Sequence, residues 1–435
     1  MAFLQEYDAL AKQGGDPATT AKAQGQLLQR WLALQPLELF AELRDHRPIF
    51  VSPGPIVVTK SADVQEVLDR DRYFTVRPYA PKMERIAGTF ILGTEEGPRY
   101  QRDVSILRLA VRRDDLPSIR AFVAATADQL IDEVMPRRKI EVVSSLSRRV
   151  PLRLVGHYFG VPGPDEATLY RWAHTMFWDI FANLSDDPTI REAANVSGRE
   201  IGSYLDELIA QRRAEIDAGT SQADDVLTRL LRMQCNPSTS FDNATIRSNL
   251  IGLLVGAIDT TSKAIIHVID ELLRRPEQLR AARQAALDDN DELFGQYVAE
   301  ALRFKPQNIF LVRLCEQPYT VARGTPRATA VKPGTIMFVA NASAMRDGAE
   351  VEAPEEFRID RPHYEYVHFG HGLHTCFGQY ISRVQIEEVV KRLLRAAEIR
   401  RAQGPHGEIQ YEQIFPSSFT VEFVKKEQAA SPHSG

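Results

Sequence analysis

Cysteine is scarce in this chain, which has three in 435 residues. They stand far apart, at positions 235, 315 and 376, and their number is odd. Secreted domains that depend on disulfides usually carry an even set of cysteines. We therefore expect no disulfide framework, and a reducing, cytoplasmic location.

Long apolar runs are missing as well. No window approaches the roughly 18 apolar residues that span a bilayer, and the N-terminus has neither the basic start nor the apolar core of a secretory signal. The formal net charge is −5, which gives no reason to expect a nucleic-acid partner. Internal repeats and low-complexity segments are absent too. These absences predict a protein that has no membrane anchor and binds no nucleic acid.

What the chain does contain is ordinary globular material, 44% hydrophobic and 26% charged. Helical periodicity dominates residues 99–305, and short β-rich segments lie on both sides of that region. The local predictions are a hairpin over 48–59, a helix over 61–68 with Ser61 as its N-cap, a turn at 236–238, and β segments at 319–322 and 335–341. Length alone suggests two or three domains.

The most informative segment is a glycine-rich loop around one cysteine, His368 to Gly378, with the sequence HFGHGLHTCFG. Glycine lets a backbone fold tightly and approach a flat ligand closely. Cys376 stands directly before an amphipathic helix, and the N-terminus of a helix favours thiolate over thiol. The apolar face of that helix comprises Ile381, Val384, Ile386, Val389, Val390, Leu393, Leu394 and Ala397. We interpret Cys376 as a thiolate held close to something flat.

Two other interpretations of this cysteine are open at this point. A lone cysteine is often a small buried hydrophobic residue, although a core position would not need three neighbouring glycines. Alternatively, His368, His371, His374 and Cys376 offer the ligand types of a zinc site. The choice between zinc and a larger cofactor depends on the rest of the chain.

Residues 369–378 match every fixed position of the pattern Phe-Gly-x-Gly-x-His-x-Cys-x-Gly. This pattern resembles the haem-binding loop of the cytochrome P-450 family. The resemblance implies a haem b cofactor, with Cys376 as the axial thiolate ligand of the iron. It also implies that His374 bonds a haem propionate. The other loop residues expected at the haem are Phe369, Gly370 and Gly378.

A second segment, residues 249–273, is a very apolar helical pattern with small residues on one stripe. Gly252, Gly256 and Thr260 recur at every fourth position, so they form a shallow groove that a flat ligand can approach. Asp259 lies beside this groove, where an unpaired carboxylate is costly. Taken alone, the pattern also fits a core helix in which Thr260 bonds its own backbone and Asp259 pairs with a distant cation.

The run from Gly256 to Thr261 resembles the acid–alcohol motif with which the cytochrome P-450 family activates oxygen. The resemblance implies that Thr260 stabilises oxygen on the distal side of the haem, and that Asp259 relays protons to it. It also places Gly256 and Ala257 against the haem. This helix and the cysteine loop would then lie on opposite faces of one cofactor.

Charged residues after position 299 are assigned to the frame of the site. Glu300 and Arg303 stand at i and i+3 on one helical face, where they can pair. The spacing resembles the Glu-x-x-Arg pair of the family, whose usual third partner would be Arg361, and this structural triad would lock the loop behind the haem. Arg313 is either a snorkelling surface arginine or, by the resemblance, a ligand of a haem propionate.

The chain departs from the family at one position. Where the family often has histidine or tryptophan followed four residues later by arginine, this sequence has Tyr100 and Val104. Tyr100 can still donate a hydrogen bond to a propionate. The residue that takes the place of the missing arginine is left open.

The resemblance also places a substrate pocket over the distal face of the haem. Its expected lining is apolar, which favours a small hydrophobic substrate, although ordinary core packing explains each residue equally well. The candidates are Phe90, Phe177, Phe181, Leu253, Ile309, Phe310 and Phe415, with Met83, Ile86, Trp172, Met176, Trp178, Asn308 and Ile414 near them.

A redox partner is expected, because no flavin or iron–sulfur module follows the cysteine helix. The donor would be a ferredoxin with its ferredoxin reductase, or a flavodoxin-type protein. The resemblance puts four arginines, at positions 102, 108, 112 and 113, on the cysteine side of the haem. They form either a solvated helix face or a docking site for an acidic iron–sulfur protein.

The resemblance implies a mainly α protein with small β-sheets, the helix-rich triangular prism of the cytochrome P-450 fold, with haem between the long distal helix and the cysteine-loop helix. We expect an N-terminal extension over 1–35, a single haem domain over 36–425, a disordered tail over 426–435, and a monomer. The implied activity is that of a haem-thiolate monooxygenase (hydroxylase). The alternatives are a peroxide-dependent peroxygenase or isomerase-like relative, which the Asp259–Thr260 pair disfavours, and a non-catalytic ligand-binding or sensor protein.

Overall fold

The computed structural model describes residues 2–12, 16–234 and 241–424, in which helices predominate as predicted. The predicted turn at 236–238 and tail at 426–435 lie outside these ranges. The helices are α1 Ala2–Lys12, α2 Pro17–Leu34, α3 Pro36–His46, α4 Ser61–Leu68, α5 Ala80–Ile86, α6 Pro98–Ala110, α7 Leu116–Val134, α8 Arg149–Leu154, α9 Glu166–Phe177, α10 Pro188–Asp217, α11 Val226–Met233, α12 Asn243–Ala257, α13 Asp259–Leu273, α14 Pro276–Leu287, α15 Asp291–Phe304, α16 Asn341–Ala344 and α17 Gln379–Ala396.

The strands are short and form small sheets at the edges of the helical body. They are β1 Ile49–Val51, β2 Ile56–Val58, β3 Phe74–Thr75, β4 Lys139–Glu141, β5 Leu311–Cys315, β6 Tyr319–Val321, β7 Thr329–Val331, β8 Ile336–Val339, β9 Glu398–Arg401, β10 Gln410–Glu412, β11 Phe415–Ser418 and β12 Thr420–Val424. The largest sheet has the order β1-β2-β8-β5-β3, in which only the β2–β8 pair is parallel. β12 joins β4 and β9 in a second sheet, and β6–β7 and β10–β11 are separate ribbons.

The main core lies between the helices that flank the predicted haem position. α13 buries residues on almost every side, as expected for an apolar helix in the interior of a protein. α17, which follows the cysteine loop, packs along α7 and also contacts α13. The distal segment and the cysteine helix therefore meet in one core.

Within the loosely patterned extension predicted over 1–35, residues 2–12 form α1 and residues 17–34 form α2. Buried side chains of these helices, including Trp31, share an apolar cluster with Phe50 of β1, Val312 of β5 and Phe338 of β8. The N-terminal helices thus cover one side of the largest sheet. Periodicity did not reveal them because each helix contributes only a few apolar residues to this contact.

The first hairpin and the helix after it are confirmed in position. β1 and β2 pair antiparallel with Ile49 opposite Val58, and α4 runs from Ser61 to Leu68. The prediction of Ser61 as the N-cap is wrong, because Lys60 occupies that position. The backbone N–H of Ser61 donates instead to Asp347 Oδ2 at 2.9 Å. A carboxylate from a distant part of the chain thus accepts a hydrogen bond from one of the free N–H groups at the start of this helix.

One expectation about apolar runs also needs correction. The segment Asn243–Leu273 is long and apolar enough, by length and composition, to cross a membrane. Within its most apolar window, 67% of the residues are buried inside the protein. Such burial is typical of a central core helix, and α12 and α13 occupy that position.

Candidate active site

The cysteine loop is held in shape by two left-handed glycines and by its own backbone. Gly370 has φ +82° and Gly372 has φ +74°, a region that favours glycine. A Cβ on Gly372 would lie 2.4 Å from the carbonyl oxygen of Leu68, so the loop packs directly on the end of α4. The backbone N–H of Cys376 donates to the Phe369 carbonyl at 2.8 Å. These contacts fix the cysteine at the start of α17.

The thiol of Cys376 does not ionise easily in the polypeptide alone. Burial raises the pKa of Cys376 to about 11, although the backbone N–H of Gly378 bonds the sulfur and opposes the rise. The expectation that the helix N-terminus by itself favours thiolate is therefore wrong, because desolvation outweighs it. A metal cation at the sulfur would favour the thiolate over the thiol, since a coordinating thiol loses its proton.

The histidines of the loop point to separate partners. His371 Nε2 lies 3.1 Å from Asp69 Oδ1, whereas His374 lies 3.9 Å from Asp71 Oδ1. In the described ranges, no group of three or more His, Cys, Asp or Glu residues is placed to hold a metal ion. The geometry therefore gives no support to the zinc interpretation.

Arg313 is a buried cation without a counter-ion in contact. It is 3% exposed, and its Nη1 donates to the carbonyl of Val312, while its Nε has no hydrogen-bond partner in the described part of the chain. Beside it, Asp71 Oδ1 is also buried and unpartnered among the described residues. Burial of an unpaired charge is costly, and the carboxylate whose charge acts on Arg313 is that of Asp71.

Tyr100 lies near Asp71, but its hydroxyl is already used. It donates to the Leu373 carbonyl at 2.8 Å, and the ring meets the His374 ring edge-on at 5.3 Å. Tyr100, on α6, thus contacts the cysteine loop and stabilises it. Its predicted contact with a propionate stays a prediction, as does the replacement for arginine at position 104.

The distal helix is interrupted where the acid–alcohol pair lies. α12 ends at Ala257 and α13 begins at Asp259, with Ile258 between them at φ −90° and ψ −70°. The Thr260 hydroxyl donates to the carbonyl of Gly256, one turn earlier. Such a bond back to the i−4 carbonyl competes with the helical ladder, and it accompanies the break here.

The cytochrome P450 family model matches residues 38–414, which is most of the chain. This chain belongs to the cytochrome P-450 family. It is similar to mycinamicin IV hydroxylase/epoxidase of Micromonospora griseorubida, with 24% identity over 82% of this chain and 86% of that protein. It is also similar to cyclomarin C epoxidase of Salinispora arenicola, with 26% identity over 66% of this chain and 69% of that protein.

Solved structures confirm the fold of this cytochrome P-450. The Bacillus subtilis polyketide synthase cytochrome P-450 superposes with a TM-score of 0.77 at 21% identity, covering 91% of this chain and 98% of that chain. Family membership and the hydroxylase and epoxidase relatives confirm the predicted enzyme class, a cytochrome P-450 monooxygenase. Proteins of this family bind haem b.

The site of this cytochrome P-450 fits haem by the chemistry of its residues. The loop glycines allow close approach to a flat ring, and Cys376 offers a soft ligand for iron. Arg313 has a free guanidinium edge where an acidic haem substituent would sit. Burial and the neighbouring Arg313 lower the pKa of His374 to about 3, so its ring is neutral near pH 7 and can donate one hydrogen bond.

Gly252 is the contact point between α12 and the predicted pocket residue Phe90. A Cβ at Gly252 would lie 2.4 Å from the Phe90 ring, and the adjacent Ile91 N–H donates to Asn249 Oδ1 at 3.2 Å. The segment that carries Phe90 is therefore docked onto the distal helix. This contact explains one glycine of the small-residue stripe.

Substitution of Gly252 by alanine should displace the Phe90 ring. We expect a net loss of about 1 kcal/mol in the free energy of unfolding, because the overpacking cost exceeds the gain in helix propensity. Urea unfolding followed by circular dichroism measures it. Gly202→Ala in α10 is the matched control, since nothing lies within 4 Å of its Cβ position, and it should be neutral or stabilising. Equal effects of the two substitutions would contradict the contact.

Asp259 has a partner that sequence reasoning missed. Its carboxylate lies 2.9 Å from His174 Nδ1 on α9, 85 positions away, and the Tyr170 hydroxyl lies 3.2 Å from the same nitrogen. We predicted, as an alternative, that Asp259 pairs with a distant cation. His174 is such a cation only when both of its ring nitrogens carry a proton. No sequence pattern signalled His174, because histidine on a helix face has many structural roles.

The aromatic pocket candidates divide into two groups. Phe177, Phe181 and Phe415 lie together, with ring centroids 4.8 Å apart for Phe177–Phe181 and 5.2 Å for Phe177–Phe415. Leu253 packs against the same main core. Ile309 and Phe310 instead pack against the N-terminal cluster, where the Phe310 ring stacks on that of Phe338. Their place in the pocket stays a prediction.

The charged triad is buried and fully connected. Arg303 bonds both carboxylate oxygens of Glu300 at 2.8 Å, and Arg361 Nε lies 3.2 Å from Glu300 Oε1. The Tyr366 hydroxyl donates to the same carboxylate at 3.2 Å. The two arginines also bond backbone carbonyls of residues 345–356. The triad therefore fastens the loop that precedes the cysteine segment.

The four arginines of the predicted docking face differ in their partners. Arg102 pairs with Asp103 at 2.7 Å, and the guanidinium of Arg113 lies 3.9 Å from the centre of the Tyr380 ring on α17. Arg108 and Arg112 are exposed. The contact with Tyr380 ties this face to the cysteine helix.

Proposed function

We propose that this cytochrome P-450 inserts one atom of O2 into a small hydrophobic substrate, with electrons from a separate ferredoxin-type protein. The observation that carries the proposal is the acid–alcohol pair at the break of the distal helix, where the Thr260 hydroxyl bonds Gly256 and Asp259 lies beside it. Haem, when bound, supplies the iron at which oxygen is activated. We further propose a cytoplasmic monomer.

The residue roles follow from chemistry and position. Cys376 would ligate the iron, and Arg313 and His374 would hold the propionates. The hydrogen of the Thr260 hydroxyl is used by the Gly256 carbonyl, so Thr260 would stabilise oxygen at the haem with the lone pairs that its hydroxyl has left, and Asp259 would supply protons. Both side chains carry oxygen atoms that can accept a proton and pass it on. The apolar group around Phe177 would exclude water from the substrate.

Removal of the Thr260 hydroxyl tests the proposal. In Thr260→Val, we expect NADPH oxidation to continue while product formation falls about tenfold or more, because proton delivery is misdirected. Product and hydrogen peroxide are quantified in one assay with ferredoxin and reductase. Thr261→Val is the matched control, since the buried Thr261 hydroxyl has no partner in the described ranges. Wild-type coupling in Thr260→Val would contradict the proposed role.

The substrate class is the finer part of the proposal. A mycinamicin hydroxylase/epoxidase and a cyclomarin epoxidase are among the relatives, and a testosterone complex is among the similar structures. Together with the apolar aromatic group, these favour a hydrophobic substrate. A compound library is screened for low- to high-spin shifts of the haem spectrum. Product that forms with peroxide but never with O2 and electrons would favour the peroxygenase alternative, and shifts without any product would favour a sensor.

Charge reversal at Arg108 of α6 and at Arg112, which follows this helix, tests the redox-partner face. We expect the double variant Arg108→Glu and Arg112→Glu to slow reduction by ferredoxin about tenfold at low salt, with unchanged substrate affinity, because exposed charges steer encounter. Stopped-flow reduction under carbon monoxide measures the rate. The charge-matched control reverses Arg191 and Arg199 on α10. Unchanged reduction kinetics in the double variant at positions 108 and 112 would contradict this part of the proposal.

A further inference from the structure

The acid beside Thr260 is sealed from water. The side chain of Asp259 is 3% exposed, and its carboxylate contacts His174 Nδ1 at 2.9 Å. An acid that gives up a proton during turnover must be reprotonated from outside the core. His174 and the hydroxyl of Tyr170 both contact this carboxylate, so the path begins at one of these two side chains.

His174 reaches from this acid toward solvent. It stands near the end of α9, and its side chain is 16% exposed. Nδ1 faces the acid, while Nε2 makes no hydrogen bond within the described residues. His174 is thus the more accessible member of the pair, since its side chain is 16% exposed and that of Asp259 is 3% exposed. Histidine is the side chain best suited to pass a proton at neutral pH.

Nδ1 has a second partner in place. The Tyr170 hydroxyl lies 3.2 Å from it, and the two rings stack with centroids 5.1 Å apart. A protonated Nδ1 donates to Asp259, and a bare Nδ1 accepts the Tyr170 O–H. Both states of the nitrogen are therefore satisfied without movement of the helix.

The surroundings hold the ring in one orientation. Trp178 and Phe415 meet it edge-on at 5.4 and 5.2 Å. The charged groups nearby come from other elements. They are Arg148, which lies 4.6 Å from the centre of the Tyr170 ring, Lys263 on α13, and Glu412 on β10.

We propose that His174 is the proton-supplying, positioning residue of Asp259. Water delivers a proton to Nε2, and the Nδ1 proton passes to Asp259 Oδ2. One proton has entered and one has moved on, so the ring is again neutral, with its hydrogen on Nε2. Tyr170 then donates to the bare Nδ1. This inference rests on the proposed oxygenase function, and His174 itself acts only through Asp259.

The first test compares proton-dependent and proton-independent turnover. The probe is the hydrophobic compound with the largest spin shift in the screen. In His174→Phe, we expect O2-driven product formation to fall about tenfold or more, with a larger solvent deuterium isotope effect. Peroxide brings its own protons, so peroxide-driven turnover should stay within about twofold. His157→Phe is the matched control, because His157 is exposed and stacks on Phe122.

The outcomes separate the possible failures. A wild-type isotope effect in His174→Phe would overturn the inference. So would an equal fall of peroxide-driven and O2-driven turnover, which indicates a merely structural role. If the wild-type enzyme forms no product from O2 at all, the proposed function fails instead, and the second test still applies.

The second test reads the ring directly and needs no turnover. Nitrogen-15 chemical shifts of His174 in the diamagnetic carbon-monoxide form of the full enzyme show which nitrogen carries hydrogen. We expect Nδ1–H in the wild type, a shift toward Nε2–H in Asp259→Leu, and a stronger Nδ1–H signature in Tyr170→Phe. The same tautomer in all three proteins would contradict the competition for Nδ1.

Discussion

Replacement of Cys376 by serine is expected to abolish the strongly red-shifted carbon-monoxide band of the reduced protein. A thiolate pushes electron density toward the iron, and a serine oxygen at the same position does not reproduce this. We expect the main haem band to move to the position typical of neutral ligands, and O2-driven product formation to fall below detection. The reduced carbon-monoxide difference spectrum and a haem stain measure both changes.

Cys315→Ser is the matched control for this experiment. Cys315 is a buried free cysteine in β5, and its thiol lies 3.1 Å from the Gln317 carbonyl, which a serine hydroxyl can also bond. This variant should keep the red-shifted band. If Cys376→Ser retained the band, or if Cys315→Ser lost it, the assignment of the iron ligand would be wrong.

Neutralisation of Glu300 is expected to have the largest effect on stability. In Glu300→Gln, two buried guanidinium groups, those of Arg303 and Arg361, lose their shared carboxylate, and their side chains are only 0% and 2% exposed. Removal of one partner of a buried ion pair typically costs about 3–5 kcal/mol. Urea unfolding of the haem-loaded protein should show this loss, together with faster haem release.

Glu192→Gln provides the comparison for a solvated pair. Glu192 and Arg199 are 64% and 67% exposed, and because solvent screens such a pair, Glu192→Gln should unfold at the same urea concentration as the wild type. A loss below about 1 kcal/mol in Glu300→Gln would mean that the loop over 345–361 is held by its backbone bonds alone. The triad would then not be the frame of the cysteine segment.

Much of the site was predictable because its residues belong to contiguous motifs. The cysteine loop, the acid–alcohol run and the Glu-x-x-Arg pair each lie within a few positions, and resemblance alone joined Arg361 to the last of these. Apolar periodicity continues on both sides of Ile258 and does not mark the break there, whereas a threonine that can bond the i−4 carbonyl does predict a local opening of the helix. The His174–Asp259 contact spans 85 positions between two helices, and no pattern in either helix specifies the other.

Errors in the fold have the same origin. Apolar character predicted burial for Ile309 and Phe310, but it did not predict that they pack against the N-terminal cluster. The N-cap position of α4 is Lys60, and the acceptor for the Ser61 N–H is Asp347, far along the chain. The pKa of Cys376 depends on the apolar surroundings that the fold builds around the loop, which local sequence does not contain.

The packing of α1 and α2 on the largest sheet has a consequence for the order in which the protein assembles. This side of the molecule is joined by contacts such as Arg44–Ser343, whose partners are 299 positions apart. Contacts of such long range form slowly, because chain entropy must be lost before they are made. Val312 belongs to this cluster and Arg313 is its neighbour. We therefore expect the N-terminal helices and the segment that carries Arg313 to gain and lose their packing together.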